Sequence, residues 1–488
     1  MAHHSSDVDL RAIAEQVVRA RGFDPRFAPE VQHQVSQIQR QPPAASTGPG
    51  VRDLRELLWS SIDNDDSRDL DQIEVAERLS SGQIKVLVGV ADVDAFVPKG
   101  SAIDSHARRE TTTVYTGVRT FPMLPEALST GLSSLLEGSD KLCVVTEFVV
   151  DSEGEIQSPQ VYRAVVRNRA QLKYSEVGAW LVGAGSGGSK VAASAPLQEQ
   201  LKLQHEAAEC LKEQRYRYGA LYLESTETHP VFSGDQIVGI ANQEKNHASE
   251  LIEELMIAAN ESVARLLSKV SSIRRVVKTP ERWDRIVELA AQHGGKLPAQ
   301  PDSKALNEFL MKRKAEDPDH FPDVSLAVVK LMGPGEYVLE RPGDPDTGHF
   351  GLAVQDYTHS TAPNRRFADI VTQRLVKAVV LAGTSNPYSD DELIAVASNC
   401  TIKQDAARKA QRDMQKRIAA VALRPNIGQS FDAIVTGATS HGTFVRTMKP
   451  RAEGMLVGGQ KGVDVGDRLK VRLVNTDVQR GYIDFVRE

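Results

Sequence analysis

Five aspartates crowd one short segment of this chain. In SIDNDDSRDLDQIE, Asp63, Asp65, Asp66, Asp69 and Asp71 fall within nine positions. Packing so many carboxylates together is costly unless cations neutralise them. Mg²⁺ takes a few carboxylates, with waters and phosphate oxygens completing its shell. Two such ions ~3.5–4 Å apart activate a water and stabilise the leaving oxygen in phosphodiester hydrolysis. Two rival readings compete. Asp63, Asp65, Ser67, Asp69, Asp71 and Glu74 stand at positions 1, 3, 5, 7, 9 and 12 of a calcium loop, but Arg68 occupies the sixth, where the sharp turn requires glycine. The segment that follows is also strand-like rather than helical. The second rival is a solvated acidic turn; Ile62, Leu70 and Ile73 interleave with the acids and imply partial burial instead.

Other residues could hold a polyanionic substrate beside such a centre. Arg365 and Arg366 sit in TAPNRRFADI, just before a helical pattern. A guanidinium offers a planar fork to phosphate oxygens and steadies charge building in a transition state. Cations at a helix start oppose its dipole, which favours a functional reason over a plain surface pair. Tyr115, in TTTVYTGVR, can be a half-buried strand residue on sequence alone. His359 reads equally as a packing or backbone-bonding histidine and as a contact. KQDAARKAQRDMQKR (403–417) is basic enough to track a phosphate backbone, although such runs are usually only solvated.

The elements that must position these residues follow from periodicity. Residues 8–40 read as two short helices around the turn-forming GFDPRFAP, too small to bury a core alone. They form a small module, helix-turn-helix-like at most, or a packing arm. QPPAASTGPG (41–50) is a linker by composition. IKVLVGVADVDAFV (84–97), LCVVTEFVV (142–150) and QVYRAVVRN (160–168) carry extended patterns. GAGSGGSKVAAS (183–194) reads as an exposed flexible loop. Helical patterns cover about 196–216, 248–270, 364–382 and 392–421. From Gly428 onward, FDAIVTGAT, GTFVRTM, EGMLV, DRLKVRLVN and GYIDFV are five short strands, the size of an OB-fold barrel.

Composition bounds the function classes. The 488 residues suggest about three domains, and 41% hydrophobic content supports real cores. A net charge of −6 excludes a general polyanion sponge, so any nucleic-acid surface is local. Cys143, Cys210 and Cys400 lie far apart, against a disulfide framework and for a reducing cytoplasm. No apolar run reaches the ~18 residues of a membrane span, and the first residues lack a signal-peptide pattern.

Several motifs in order then become specific. SIDNDDSRDLDQIE, VGVADVDAFVPKGSAIDSHARRETTTVY and FPMLPEALSTGLSSLLEG resemble the catalytic RNB domain of the ribonuclease II and ribonuclease R family. The resemblance resumes at LIEELMIAANESVARLL and HFGLAVQDYTHSTAPNRRFADIVTQRL, covering roughly residues 51–420. It implies a 3′-to-5′ exoribonuclease that threads single-stranded RNA and releases nucleoside 5′-monophosphates, using Mg²⁺ with Mn²⁺ as an alternative. Carried over by position, the family's metal-site aspartates fall on Asp63, Asp69 and Asp71, with Asp71 weighing most in cleavage. The fourth falls on Gln72, whose carbonyl can ligate but brings no charge; Asp66 is a candidate to compensate. Arg365 matches the arginine near the scissile phosphate and Tyr115 the tyrosine that stacks near the 3′ end, where any base offers a π-face, with Phe232 a candidate second platform. Gln411 stands where relatives often carry a glutamate. The C-terminal barrel resembles the RNA-binding domain named after ribosomal protein S-one, with Phe431, His441 and Phe444 for stacking and Arg446, Lys470 and Arg472 for charge.

The expected architecture is α+β, a mixed sheet or barrel core surrounded by helices. A helical module and linker occupy 1–50, the catalytic domain 51–424 and the five-stranded OB-fold 425–488. Relatives commonly begin with two cold-shock-type barrels of ~60–70 residues each, which cannot fit before residue 51, so the helical module is expected to leave a reduced RNA-gripping cap and altered selectivity against structured RNA. A monomer acting on single-stranded RNA is expected. A catalytically degenerate RNA-binding protein is the alternative that Gln72 and Gln411 keep open.

Overall fold

The computed structural model describes residues 8–224, 228–242, 245–345, 347–439 and 442–488. Its centre is a mixed seven-stranded sheet. The strands run in the order Val51–Asp53, Ile156–Arg167, Asp140–Val150, Ile84–Ala91, Gln72–Arg78, Ser60–Asp63 and Ala170–Lys173. The two end pairs are parallel; the inner pairs are antiparallel. Both faces are covered, which explains why Ile84–Ala91 reads as one hydrophobic run. Ile84, Val86, Val88 and Val90 enter one core with the helices Ala195–Arg217 and His247–Leu266. Leu87 and Ala91 enter the other, with the helices Ala102–Glu110 and Phe367–Leu375. Gly89 lies on that second face, where an added Cβ would come within 3.2 Å of Ile73 and 3.4 Å of Trp59.

Two expectations need correction. The extended run 84–97 stops at Ala91 and turns into a 3-10 helix at Val93–Ala95. Asp92 causes the stop, because its carboxylate accepts the Ala95 N–H and pairs with Arg163 and Lys377. The expected loop 183–194 contains a helical turn, Gly188–Ala192, anchored by buried Val191. The remaining long patterns become helices Ala195–Arg217, His247–Leu266, Phe367–Leu375 and Asp390–Leu423. The mixed sheet with surrounding helices is the α+β body expected.

The two N-terminal helices, Leu10–Ala20 and Pro29–Arg40, have no core of their own. Leu10, Ile13, Ala14 and Val18 pack with Met414 and Ile418 of the long helix Asp390–Leu423. Val31 and Val35 join the core beneath the sheet. Both helices thus lean on the rest of the chain. At the other end a closed five-stranded barrel runs Ser430–Thr439, Gly442–Thr447, Glu453–Gly458, Tyr482–Arg487 and Arg468–Asp477 in spatial order. Its core, with Phe485, Leu456, Val471 and Leu473, merges with that of the long helix. Among the described residues, no helix is long and apolar enough to cross a membrane.

Candidate active site

The aspartate segment is a loop between two neighbouring strands. Asp63 ends Ser60–Asp63, and Asp71 immediately precedes Gln72–Arg78. The downstream strand removes the calcium-loop reading, which requires an exiting helix. The loop is held from outside. Ser134 Oγ accepts the Leu70 N–H at 3.0 Å and donates to the Arg68 carbonyl at 2.6 Å. The Leu135 N–H bonds the Leu70 carbonyl. FPMLPEALSTGLSSLLEG therefore acts as a buttress for the acids.

Asp71 is 3% exposed. Its Oδ1 accepts the Asn364 N–H at 2.8 Å, and its Oδ2 faces Arg365 Nε at 3.4 Å. Burial pushes its carboxyl up to about 7, against the lowering pull of Arg365 and the Asn364 N–H; Asp69 and Asp369 push it further. Asn364 is itself fixed, because its Oδ1 accepts the Ser133 hydroxyl at 2.6 Å. Tyr115 is at the mouth, 41% exposed, with its hydroxyl donating to Asp69 Oδ2 at 3.2 Å. Asp63 is half-buried, its Oδ1 taken by Ser67 Oγ and the Asn64 N–H. Burial raises its pKa despite those bonds and the Arg365 charge, and Asp69 adds to the rise.

Backbone pairing brings Tyr115 and Arg365 together. The Thr113 N–H bonds the Arg365 carbonyl, and the Phe367 N–H bonds the Thr111 carbonyl. Thr111 sits at φ 59, the bend that swings the chain from the helix Ala102–Glu110 into this pairing. Behind it, Arg374 bonds Asp94, Asp104 and the Tyr388 hydroxyl, while Lys377 bonds Asp92 and Asp94. That ionic network pins the helix Phe367–Leu375 to residues 92–104.

The donors are all oxygens. Among the described residues, Asp63 Oδ2 and Asp69 Oδ1 receive no protein hydrogen bond, so both remain open to a cation. By chemistry this set suits a hard divalent ion, and among the described residues no three of its carboxylates bring ligand atoms within 4.8 Å of one another. Gln72 pairs with Val90 in the sheet and is half-buried beside Asp71.

Not every candidate converges here. Arg366 is committed to Asp369, with two bonds of 2.9 and 2.8 Å to a fully buried carboxylate. His359 is half-buried and bonds the Tyr337 hydroxyl at 2.7 Å. Phe232 is exposed on the hairpin Thr228–Ser233/Gln236–Asn242. Gly117, two residues beyond Tyr115, faces Pro230 of that hairpin and Ile418. Phe444 is half-buried on the barrel opposite Gly437. Phe431 meets fully buried Phe485 edge-on, so it belongs to the barrel core. Arg446 is buried on Asp323 at 2.6 Å and is not a free surface charge. His441 lies outside the described residues.

Sequence reasoning named Glu74, fully buried two residues beyond Gln72, only as the last position of the calcium loop, and gave no role to Asn364. A separate trio, His205, Glu209 and His247, brings ligand atoms within 4.8 Å of one another; Lys212 lies 3.7 Å from Glu209 and opposes a cation there.

Residues 51–382 match the RNB domain, and residues 429–488 match the RNase II-type exonuclease C-terminal S1 domain. Ribonuclease R of Escherichia coli (strain K12) is 29% identical over 493 aligned residues, covering 93% of this chain and 59% of that protein. Ribonuclease R of Thermotoga maritima is 30% identical, covering 90% of this chain and 65% of that protein. The chain spans about three fifths of the length of these relatives. The apo form of Mycoplasma genitalium RNase R has the same fold, with a TM-score of 0.85 at 22% identity over 99% of this chain and 78% of that one. Yeast Ssd1, a pseudonuclease, aligns with a TM-score of 0.71 at 16% identity, covering 97% and 58%.

Proposed function

Because the chain belongs to the RNB family, we propose that it is a divalent-metal-dependent exoribonuclease that shortens single-stranded RNA from its 3′ end and releases nucleoside 5′-monophosphates. The observation that carries this reading is the meeting of Asp71, Asp69, Arg365 and Tyr115 around one half-open spot. Asp63, Asp69, Asp71 and the Gln72 carbonyl would hold Mg²⁺, with Mn²⁺ as an alternative. Bound there, the ions supply an activated water and neutralise the leaving oxygen. Tyr115, half-exposed and tethered at its hydroxyl, offers a ring face to the terminal base whatever its identity. Arg365, whose side chain is 45% exposed, has donors left for a phosphate oxygen beyond its long contact with Asp71. Arg366 acts at one remove, through Asp369, which accepts the Ala362 N–H and shapes the turn that presents Arg365. The barrel face around Phe444 would guide incoming RNA. Three free cysteines suit a reducing cytoplasm, with the chain acting as a monomer.

A second reading, RNA binding without cleavage, draws on Gln72 and on the fold shared with a pseudonuclease. One assay separates them. With 5′-labelled poly(A) and Mg²⁺, the wild type is expected to collapse the ladder to a short end product, and Asp71→Asn to lose at least about a hundredfold in rate. RNA retention by the wild type with no decay would sink the nuclease reading.

A further inference from the structure

The substitution at Gln72 leaves the aspartate segment one carboxylate short of the pattern it resembles. Two residues further along the same strand is Glu74, and positions two apart share a face. Glu74 occupies what should be an aliphatic position. It sits between Ile73 and Val75, pairs across the sheet with Val88, and is 0% exposed. Neither of its carboxylate oxygens has a hydrogen-bond partner.

The surroundings deepen the anomaly. Across the strand pair Glu74 faces Ser60, which is fully buried with an unpartnered hydroxyl oxygen. Behind the strand, Gln204 donates its amide to the Glu74 backbone carbonyl at 3.4 Å, and its own Oε1 is buried without a donor. Four buried oxygens on this strand and its neighbours thus have no donor to neutralise them. The neighbouring charge that acts on Glu74 is Asp63, which is negative and makes matters worse. The Tyr174 hydroxyl, pushed up first by burial, is pushed up further by both Asp63 and Glu74. Buried carboxylates persist when they are paired, protonated or bound to a cation. No cationic side chain among the described residues pairs with Glu74, and an oxygen-only cluster beside a half-open aspartate is what a hard divalent ion takes.

We propose that Glu74 supplies the carboxylate missing at Gln72, so that Asp63 and Glu74 share a divalent cation of the Mg²⁺ or Mn²⁺ type. This rests on the metal-dependent reading of the site. The negative charge has moved two residues along one strand face, to the far side of Gln72, and the site keeps four acids: Asp63, Asp69, Asp71 and Glu74. Gln204 and Ser60 then become oxygen neighbours of the ion rather than orphaned core atoms.

The test needs no RNA. Free Mn²⁺ is followed by electron paramagnetic resonance as it is titrated into wild type, Glu74→Gln and Gln72→Asp/Glu74→Gln, with thermal melting in EDTA to confirm folding. Glu74→Gln is expected to weaken one Mn²⁺ equivalent tenfold or more, and the double variant to recover it. Wild-type stoichiometry and affinity in Glu74→Gln would overturn the proposal and leave Glu74 a protonated core acid. A wild type that takes up no Mn²⁺ would instead overturn the metal-dependent reading itself. Should Glu74→Gln not fold, Gln72→Asp/Glu74→Leu asks the same question with an aliphatic restored to the core. Wild-type Mn²⁺ affinity there supports the transfer of charge between the two positions, and its loss overturns it.

Discussion

At the scale of the residue, Asp71 is set apart by its environment. Burial brings its carboxyl to about 7 in the metal-free protein, from 3.8 in an exposed chain. The folded state therefore holds a proton that the unfolded state has already released between roughly pH 4 and 7. Stability falls as pH rises through that window, by about 1.4 kcal/mol for each unit the pKa is displaced. Melting curves in EDTA should show a steeper loss of Tm from pH 5 to 7.5 for the wild type than for Asp71→Asn. Mg²⁺ should remove most of the difference, because a cation stabilises the ionised carboxylate. Parallel profiles in EDTA would mean that Arg365 alone keeps Asp71 charged. The acids were legible as a cluster from residue type and spacing, Tyr115 only through the family resemblance. Glu74 stood out only as the last position of the rival calcium loop, because alternation along a strand assigns its position to the core and says nothing of an unpartnered carboxylate. Arg366 was legible as a cation, but its commitment to Asp369 depends on how the first turn of a helix folds back.

At the scale of the element, the helices were legible because each repeats an apolar stripe over many turns. The short strands that frame the site were less so. Ser60–Asp63 and Ala170–Lys173 are four residues each, too brief for alternation to stand out from a loop. Two of the legible helices, Ala195–Arg217 and His247–Leu266, are joined by a feature no periodicity reveals. Arg215 makes a fork to Glu254, with bonds of 2.8 and 2.5 Å, and both side chains are at most 10% exposed. Removing one partner strands the other charge in the core, which costs about 3–5 kcal/mol. Glu254→Ala should lower the unfolding free energy by that amount in urea titrations. Glu206→Ala, which breaks the half-exposed pair with Arg78, should cost under about 1 kcal/mol. Equal effects would show that the buried fork is offset by water or relaxation.

At the scale of the whole molecule, the barrel is not an appendage on a linker. Its core continues into the long helix, and Arg446 crosses to the helix Phe321–Met332, bonding Asp323 at 2.6 Å and the Asp319 carbonyl at 3.2 Å. Arg468 adds an exposed bond to Asp319, and His320 meets the Gly466 carbonyl. Composition showed five strands but could not show that one of their arginines is spent on docking, since the partner lies more than a hundred residues earlier in the chain. Asp323→Ala leaves Arg446 unpaired in a closed interface, whereas Asp323→Leu/Arg446→Leu replaces the pair with apolar contact. The single variant should loosen the barrel, seen as faster proteolysis near residue 428, and the double variant should restore protection. The barrel keeps its own core of Leu456, Val471, Leu473 and Phe485, so loosening it should leave that fold intact. Long RNA reaching from the barrel to Tyr115 should then bind about tenfold more weakly in the single variant, while RNA too short to reach the barrel should bind as before. An equal loss for both lengths would place the damage in the catalytic body instead, and the barrel would no longer be the element that extends the grip.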